Sequence, residues 1–88
     1  MKVYNLTSPR SGREVPNQFE IYHNNERYFQ SYQSIICKYT ASGALVFDPN
    51  FWDYSVTTSK YRNQFTGLST QETKRRIADG SITFENLN

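Results

Sequence analysis

Apolar and polar positions alternate through the first half of the chain and then change period. Lys2-Val3-Tyr4-Asn5-Leu6 reads as a strand, with Val3 and Leu6 flanking a tyrosine, and Ser8-Pro9-Arg10-Ser11-Gly12 breaks it. Gln18 to His23 places Phe19 and Ile21 on one face with Glu20 opposite, the period-two pattern of a half-buried strand. Asn24-Asn25 follows, and asparagine tolerates positive φ, so a hairpin turn is expected. Arg27 to Tyr39 predicts one long strand of aromatic and β-branched residues. Its phase is mixed: Phe29 and Ile35 share a parity that Tyr28, Tyr32 and Ile36 do not. A bulge or bend near Gln33-Ser34, or burial of both faces, would account for this. Ser42-Gly43 supplies a turn, Ala44 to Phe47 a short strand, and Asp48-Pro49-Asn50 its end.

From Ser55 the period becomes helical. Ser55, Thr57 and Thr58 all offer a side-chain oxygen for an N-cap. Tyr61 and Phe65 then fall at i, i+4 on one face of a helix running from about Thr58 to Thr66, which Gly67 closes by adopting positive φ. Ser69-Thr70-Gln71-Glu72 has the form of a capping box, with Ser69 capping forward and Glu72 reaching back. That second helix runs to about Asp79, with Ile77 as its main apolar residue and Gly80 beyond. Ser81 to Leu87 reads as a last strand. The order β-β-β-β-α-α-β predicts an α+β domain spanning 1–88, with a small antiparallel sheet of four to five strands packed with two short helices. Trp52, Tyr61 and Phe65 would dock the first helix on the sheet, leaving Lys60 and Arg62 outside.

Size and composition narrow the chemistry. A chain of 88 residues builds one modest core, to which aromatics contribute much of the area. The net charge is only +2, but five cations (Lys60, Arg62, Lys74, Arg75, Arg76) lie between positions 60 and 76 against one acid, Glu72. An anionic partner should therefore meet the C-terminal half. Cys37 has no cysteine to pair with, no signal-peptide hydrophobic region is present, and no apolar run approaches a membrane span; a reducing, intracellular setting is expected.

Catalytic and metal-binding constellations do not assemble from this pattern. His23 and Cys37 cannot supply the ligands of a zinc site, and Asp48, Asp53 and the glutamates lack calcium-loop spacing, so neither metal nor cofactor is expected. Cys37 between Ile36 and Lys38 reads as a small buried apolar residue. Glu14, Glu20, Glu26, Asp48 and Asp53 form no helical pair, and no glycine-rich phosphate loop occurs. The expectation is a protein without enzymatic activity that acts by binding.

Nucleic acid is the first candidate partner. Two short helices joined by Gly67-Leu68 invite a helix-turn-helix comparison, with Ser69 to Asp79 as the reading helix, although a third helix is lacking. Lys60, Arg62, Lys74, Arg75 and Arg76 would contact phosphates, and Tyr28 and Tyr32 would stack bases. The alternative is a protein partner held by the same aromatics. A homodimer is a further assembly from which so small a core would gain.

The segments Arg10 to Ile21 (RSGREVPNQFEI), Tyr28 to Ile36 (YFQSYQSII), Trp52 to Phe65 (WDYSVTTSKYRNQF) and Glu72 to Ile77 (ETKRRI) resemble a family of small proteins encoded by tailed bacteriophages. The Phe-Gln-Ser-Tyr block at Phe29 to Tyr32 and the Trp-Asp-Tyr-Ser…Thr-Thr…Lys-Tyr-Arg block carry most of the likeness. It implies a phage accessory protein in the cytoplasm of an infected host. It brings no assigned activity, so no functional residue is carried over. Alanine is common in that family where this chain has Cys37, which speaks against a catalytic thiol. In that setting the protein-binding alternative becomes an inhibitor of a host defence or transcription component.

Overall fold

Six strands lie side by side in sequence order in the computed structural model, which describes residues 1–88. They are β1 (Lys2–Thr7), β2 (Glu14–His23), β3 (Glu26–Ser31), β4 (Ser34–Tyr39), β5 (Leu45–Phe47) and β6 (Ile82–Phe84); α1 (Val56–Thr66) and α2 (Thr70–Ala78) connect the last two. The first four pairings are antiparallel and β5 with β6 is parallel. The α+β class holds. The sheet is larger than expected and mixed, because the two helices form a crossover that returns β6 alongside β5 in the same direction.

The extra strand comes from the Arg27–Tyr39 segment, which is a hairpin and not one strand. Ser31 pairs with Ser34, so Tyr32 and Gln33 form a two-residue turn. Such turns need positive φ, normally supplied by Gly, Asn or Asp. Tyr32 adopts φ 56 without being any of these. Two tertiary bonds hold it there: Tyr32 N–H donates to the Asn17 carbonyl at 2.7 Å, and Ser31 Oγ meets Thr58 Oγ1 at 2.9 Å. The mixed phase also has a second cause. Phe29 pairs with Cys37 and Gln30 with Ile35, which leaves Ile36 as the extra residue of a bulge, and both Ile36 and Cys37 turn inward to full burial.

The helices cover one face of the sheet. Leu6, Phe29, Ile36, Cys37, Leu45, Phe47 and Ile82 meet Tyr61 and Phe65 from α1 in a single core. Phe29 and Phe65 stack at 5.8 Å, and Phe47 packs on Trp52 and Phe84. Both helix starts follow from their caps, since Ser55 Oγ accepts from Thr58 N–H and Ser69 Oγ from Glu72 N–H, each at 3.0 Å. Gly67 at φ 77 ends α1. The capping box is only half made. The Glu72 carboxylate turns forward to Arg75 and Arg76, which hold it down at a pKa of about 2.

Beyond Phe84 the expected strand stops, and the tail is tied to a carboxylate. Asp48, fully buried, accepts from Asn50 N–H at 2.8 Å, Leu87 N–H at 2.9 Å and Asn88 Nδ2 at 3.0 Å. Asn88 also brackets the Ile35 backbone, accepting from its N–H and donating to its carbonyl. The side-chain amide thus caps β4 at a position past the end of β5.

Candidate binding surface

Of the seven residues that the sequence puts forward for nucleic acid, Arg62 is the clearest departure. Its side chain is fully buried under α1, between Phe47 and Trp52, with its guanidinium carbon 5.9 Å and 5.4 Å from their ring centres. It donates to the Trp52 carbonyl at 2.6 Å and to Asn63 Oδ1 at 2.9 Å, and lies 3.7 Å from Asp53. Burial lowers its pKa and the neighbouring Asp53 opposes the shift. It is a structural cation and cannot reach a phosphate. Helical periodicity explains the error: Arg62 follows Tyr61 directly and lies on the same inward arc as Thr58, Tyr61 and Phe65.

Arg75 and Arg76 are on the surface but already partnered. Arg75 pairs with Glu72 and Asp79, and Arg76 with Glu72. Lys60 and Lys74 are exposed and carry no acid. Tyr28 lies on the face away from the helices, in a row across the sheet with Val3, Ile21, Lys38 and Val46. Its hydroxyl donates to Glu26 at 2.8 Å, and Lys38 also reaches that carboxylate at 3.2 Å. An acid beside the ring disfavours stacking of a phosphate-linked base. Tyr32 is exposed at the hairpin tip. The seven residues therefore do not assemble into one face.

Structure exposes two groups that sequence reasoning missed. Arg10 and Arg13 flank Gly12 in the β1–β2 loop without an acid partner, and Gln64 of α1, one turn after Lys60, donates to the Thr7 carbonyl at the loop base at 2.8 Å. The second group is aromatic. Tyr4 of β1 and Tyr22 of β2 meet edge to face at 5.9 Å and remain 52% and 41% exposed. They share the helix side of the sheet, but α1 packs over β3 and α2 beside β6, so this end of β1 and β2 is uncovered. The alternation in Lys2–Leu6 signals a strand; that β1 is the outermost strand is a property of topology.

Around this pair the charges are mostly consumed. Glu20 accepts from Tyr22 Oη at 3.0 Å and from Arg27 Nε at 2.9 Å; the bond from Tyr22 to Glu20 raises the Tyr22 pKa. Arg27 in turn lies over the Phe65 ring at 4.8 Å and the Tyr22 ring at 6.0 Å. Two open clefts converge here, one of about 410 Å³ lined by Lys2, Tyr4, Glu20 and Tyr22, the other of about 420 Å³ that shares Lys2 and Tyr22 and extends to Arg27.

Cys37 is sealed in the core. Burial raises its thiol pKa far above the ordinary range, against weaker pulls from Arg62 and Arg27. The native protein is expected to resist iodoacetamide at pH 8 and to alkylate only after addition of denaturant, as read by intact mass. Alkylation at the rate of a free thiol would show that Cys37 is accessible.

These features define a two-layer α+β domain with one uncovered sheet face, a free edge at β1 and a mixed-charge surface. By its sequence the chain belongs to DUF8033, a family of unknown function whose model matches residues 1–80. No curated protein and no solved structure matches it. No helix is long and apolar enough to cross a membrane.

Proposed function

We propose that this is a phage-encoded accessory protein without catalytic activity, acting in the host cytoplasm by binding a host protein. The phage setting is supported by the resemblance in the Phe29–Tyr32 and Trp52–Phe65 blocks. The observation that carries the protein-partner reading is the exposed Tyr4–Tyr22 pair beside an uncovered sheet edge. Tyrosine supplies large contact area with few rotors, and exposed aromatic groups of this kind mark interfaces. The helical cations argue in the same direction, since Arg62 is buried and Arg75 and Arg76 are neutralised.

The test is recovery of host proteins on the tagged chain after nuclease treatment, at low and high salt, beside a Tyr4→Ala/Tyr22→Ala variant. A specific partner retained at high salt and lost with the double variant supports the reading. Recovery that vanishes with nuclease or salt overturns it.

Nucleic acid remains a second reading, favoured by Arg10, Arg13, Lys60 and Lys74, which carry no acid partner. It requires anisotropy of labelled DNA and RNA to fall with salt by about 0.7–0.9 in log K per log salt for each phosphate contact. Replacing those four residues by alanine should abolish the binding, whereas Arg75→Ala/Arg76→Ala should leave most of it.

A further inference from the structure

The Tyr4–Tyr22 clefts adjoin the one long strand of the sheet that pairs on a single side. β1 hydrogen-bonds only to β2, so backbone groups along its outer side have no partner strand. Edges of this kind are normally protected by charge, proline, bulges or a covering segment. β1 holds one charge, Lys2, and no proline. A register shift between Asn5 and Thr7 disrupts the strand at one end, and Gln64 covers the Thr7 carbonyl there. The regular stretch left open is Lys2–Asn5, where Val3 and Tyr4 are each 52% exposed and the two clefts lie.

The opposite edge differs. β6 is three residues long, and the tail that follows it is tied down by Asp48 and Asn88. Protection is thus complete at one edge and, at the other, concentrated at the Asn5–Thr7 end.

Charge selects the occupant. Within the clefts the Glu20 carboxylate is held by Arg27 and by the Tyr22 hydroxyl, and Glu26 is held by Tyr28 and Lys38. Lys2 is the charged side chain left unpaired within the clefts. A second copy of the chain would bring another Lys2 to the seam, where both cleft acids are already held; the unpaired Glu14 lies outside the clefts, opposite Thr7 at the disrupted end of the strand. An extended segment with acidic side chains would complement it.

We infer that the Lys2–Asn5 edge of β1 is a strand-addition site for an extended, acidic segment of the protein partner, one apolar side chain of which packs against the Tyr4–Tyr22 pair. Backbone pairing supplies affinity in this mode, and the aromatic cleft with Lys2 supplies selectivity. The inference rests on the protein-partner reading above and names the site and chemistry for it.

The experiment titrates the full chain with a short acetylated peptide that alternates glutamate with valine around a central phenylalanine, and with its lysine-for-glutamate counterpart, while amide chemical shifts are followed. The acidic peptide should perturb Lys2 to Asn5 and Tyr22, and bind at least about tenfold more tightly than the basic one. Tyr4→Ala should weaken it about tenfold, and Lys2→Glu should invert the preference between the two peptides. Both residues are exposed, so these variants keep the core intact. Equal binding of the two peptides, shifts centred on the Tyr28 face, or no binding overturns the inference.

A photoreactive residue placed at position 4 or 28 of the full chain, irradiated in host lysate, separates the two levels. Protein adducts from position 28 alone overturn the strand-addition site and leave the protein-partner reading standing. Adducts from neither position count against both.

Discussion

Replacing Arg62 with alanine is expected to lower the unfolding free energy by about 3–5 kcal/mol, the usual cost of breaking a buried charged network by removing one partner. For a domain of this size that corresponds to a fall in Tm of roughly 15–30 °C. The change removes the apolar stem packed between Phe47 and Trp52 and strips the Trp52 carbonyl of its 2.6 Å donor. Arg62→Met separates the contributions. Methionine keeps most of the volume and no longer has a charge to desolvate, so its loss should be smaller, roughly 1–3 kcal/mol for the orphaned carbonyl. Thermal and urea denaturation followed by circular dichroism would check both. A wild-type Tm in the alanine variant would mean that the guanidinium is solvated, and would return Arg62 to the candidate phosphate contacts.

Asp48→Ala is expected to cost about 2–4 kcal/mol, because two backbone N–H groups and the Asn88 amide lose a charged acceptor at once. The tail should detach from β4, visible as faster amide exchange at Ile35 and Leu87. The same site makes a pH prediction. Burial alone would raise the Asp48 pKa, but the donors from Leu87, Asn88 and Asn50 outweigh it, and the net pKa lies below its ordinary value. A carboxyl with a depressed folded pKa stabilises fully above its unfolded pKa, near 3.9, and loses that contribution as pH falls through the folded value. Wild type should therefore lose more stability between pH 6 and pH 2 than Asp48→Asn, which cannot titrate. Glu72 and other lowered carboxyls destabilise both proteins in acid equally, so the difference reports Asp48. Identical acid sensitivity in the two proteins would remove Asp48 as the source.

Much of the fold was legible residue by residue. The Asn24-Asn25 turn forms with φ 51 and 64, Ser55 and Ser69 cap their helices, and Gly67 closes α1. Each is a short-range rule, decided by what one side chain does to the backbone within a turn of it. The splitting of Arg27–Tyr39 was not legible, because Tyr32 takes positive φ against its own preference. Bonds to Asn17 and, through Ser31, to Thr58 hold it there, and no local window contains those partners. The bulge at Ile36 left a trace in the mixed phase of the strand, but its position came from pairing with β3.

The candidate surface was legible in kind and misplaced in detail. Aromatic and basic residues in abundance pointed to binding. Which of them face outward depended on neighbours far along the chain. Arg62 is drawn under Trp52, Arg75 and Arg76 are spent on Glu72, and the exposed aromatic pair joins Tyr4 to Tyr22 across two strands.

Legible in the sequence alone were the α+β class, the order of strand, two helices and strand from Ala44 onward, the caps, the inward Tyr61–Phe65 face and the unpaired state of Cys37. Long-range contacts set the rest: a sheet of six strands with a parallel closing pair, β1 as its free edge, and the identity of the unpaired cations. Periodicity and capping act within a few residues, whereas burial, ion pairing and edge exposure are set by partners that folding brings together from distant positions.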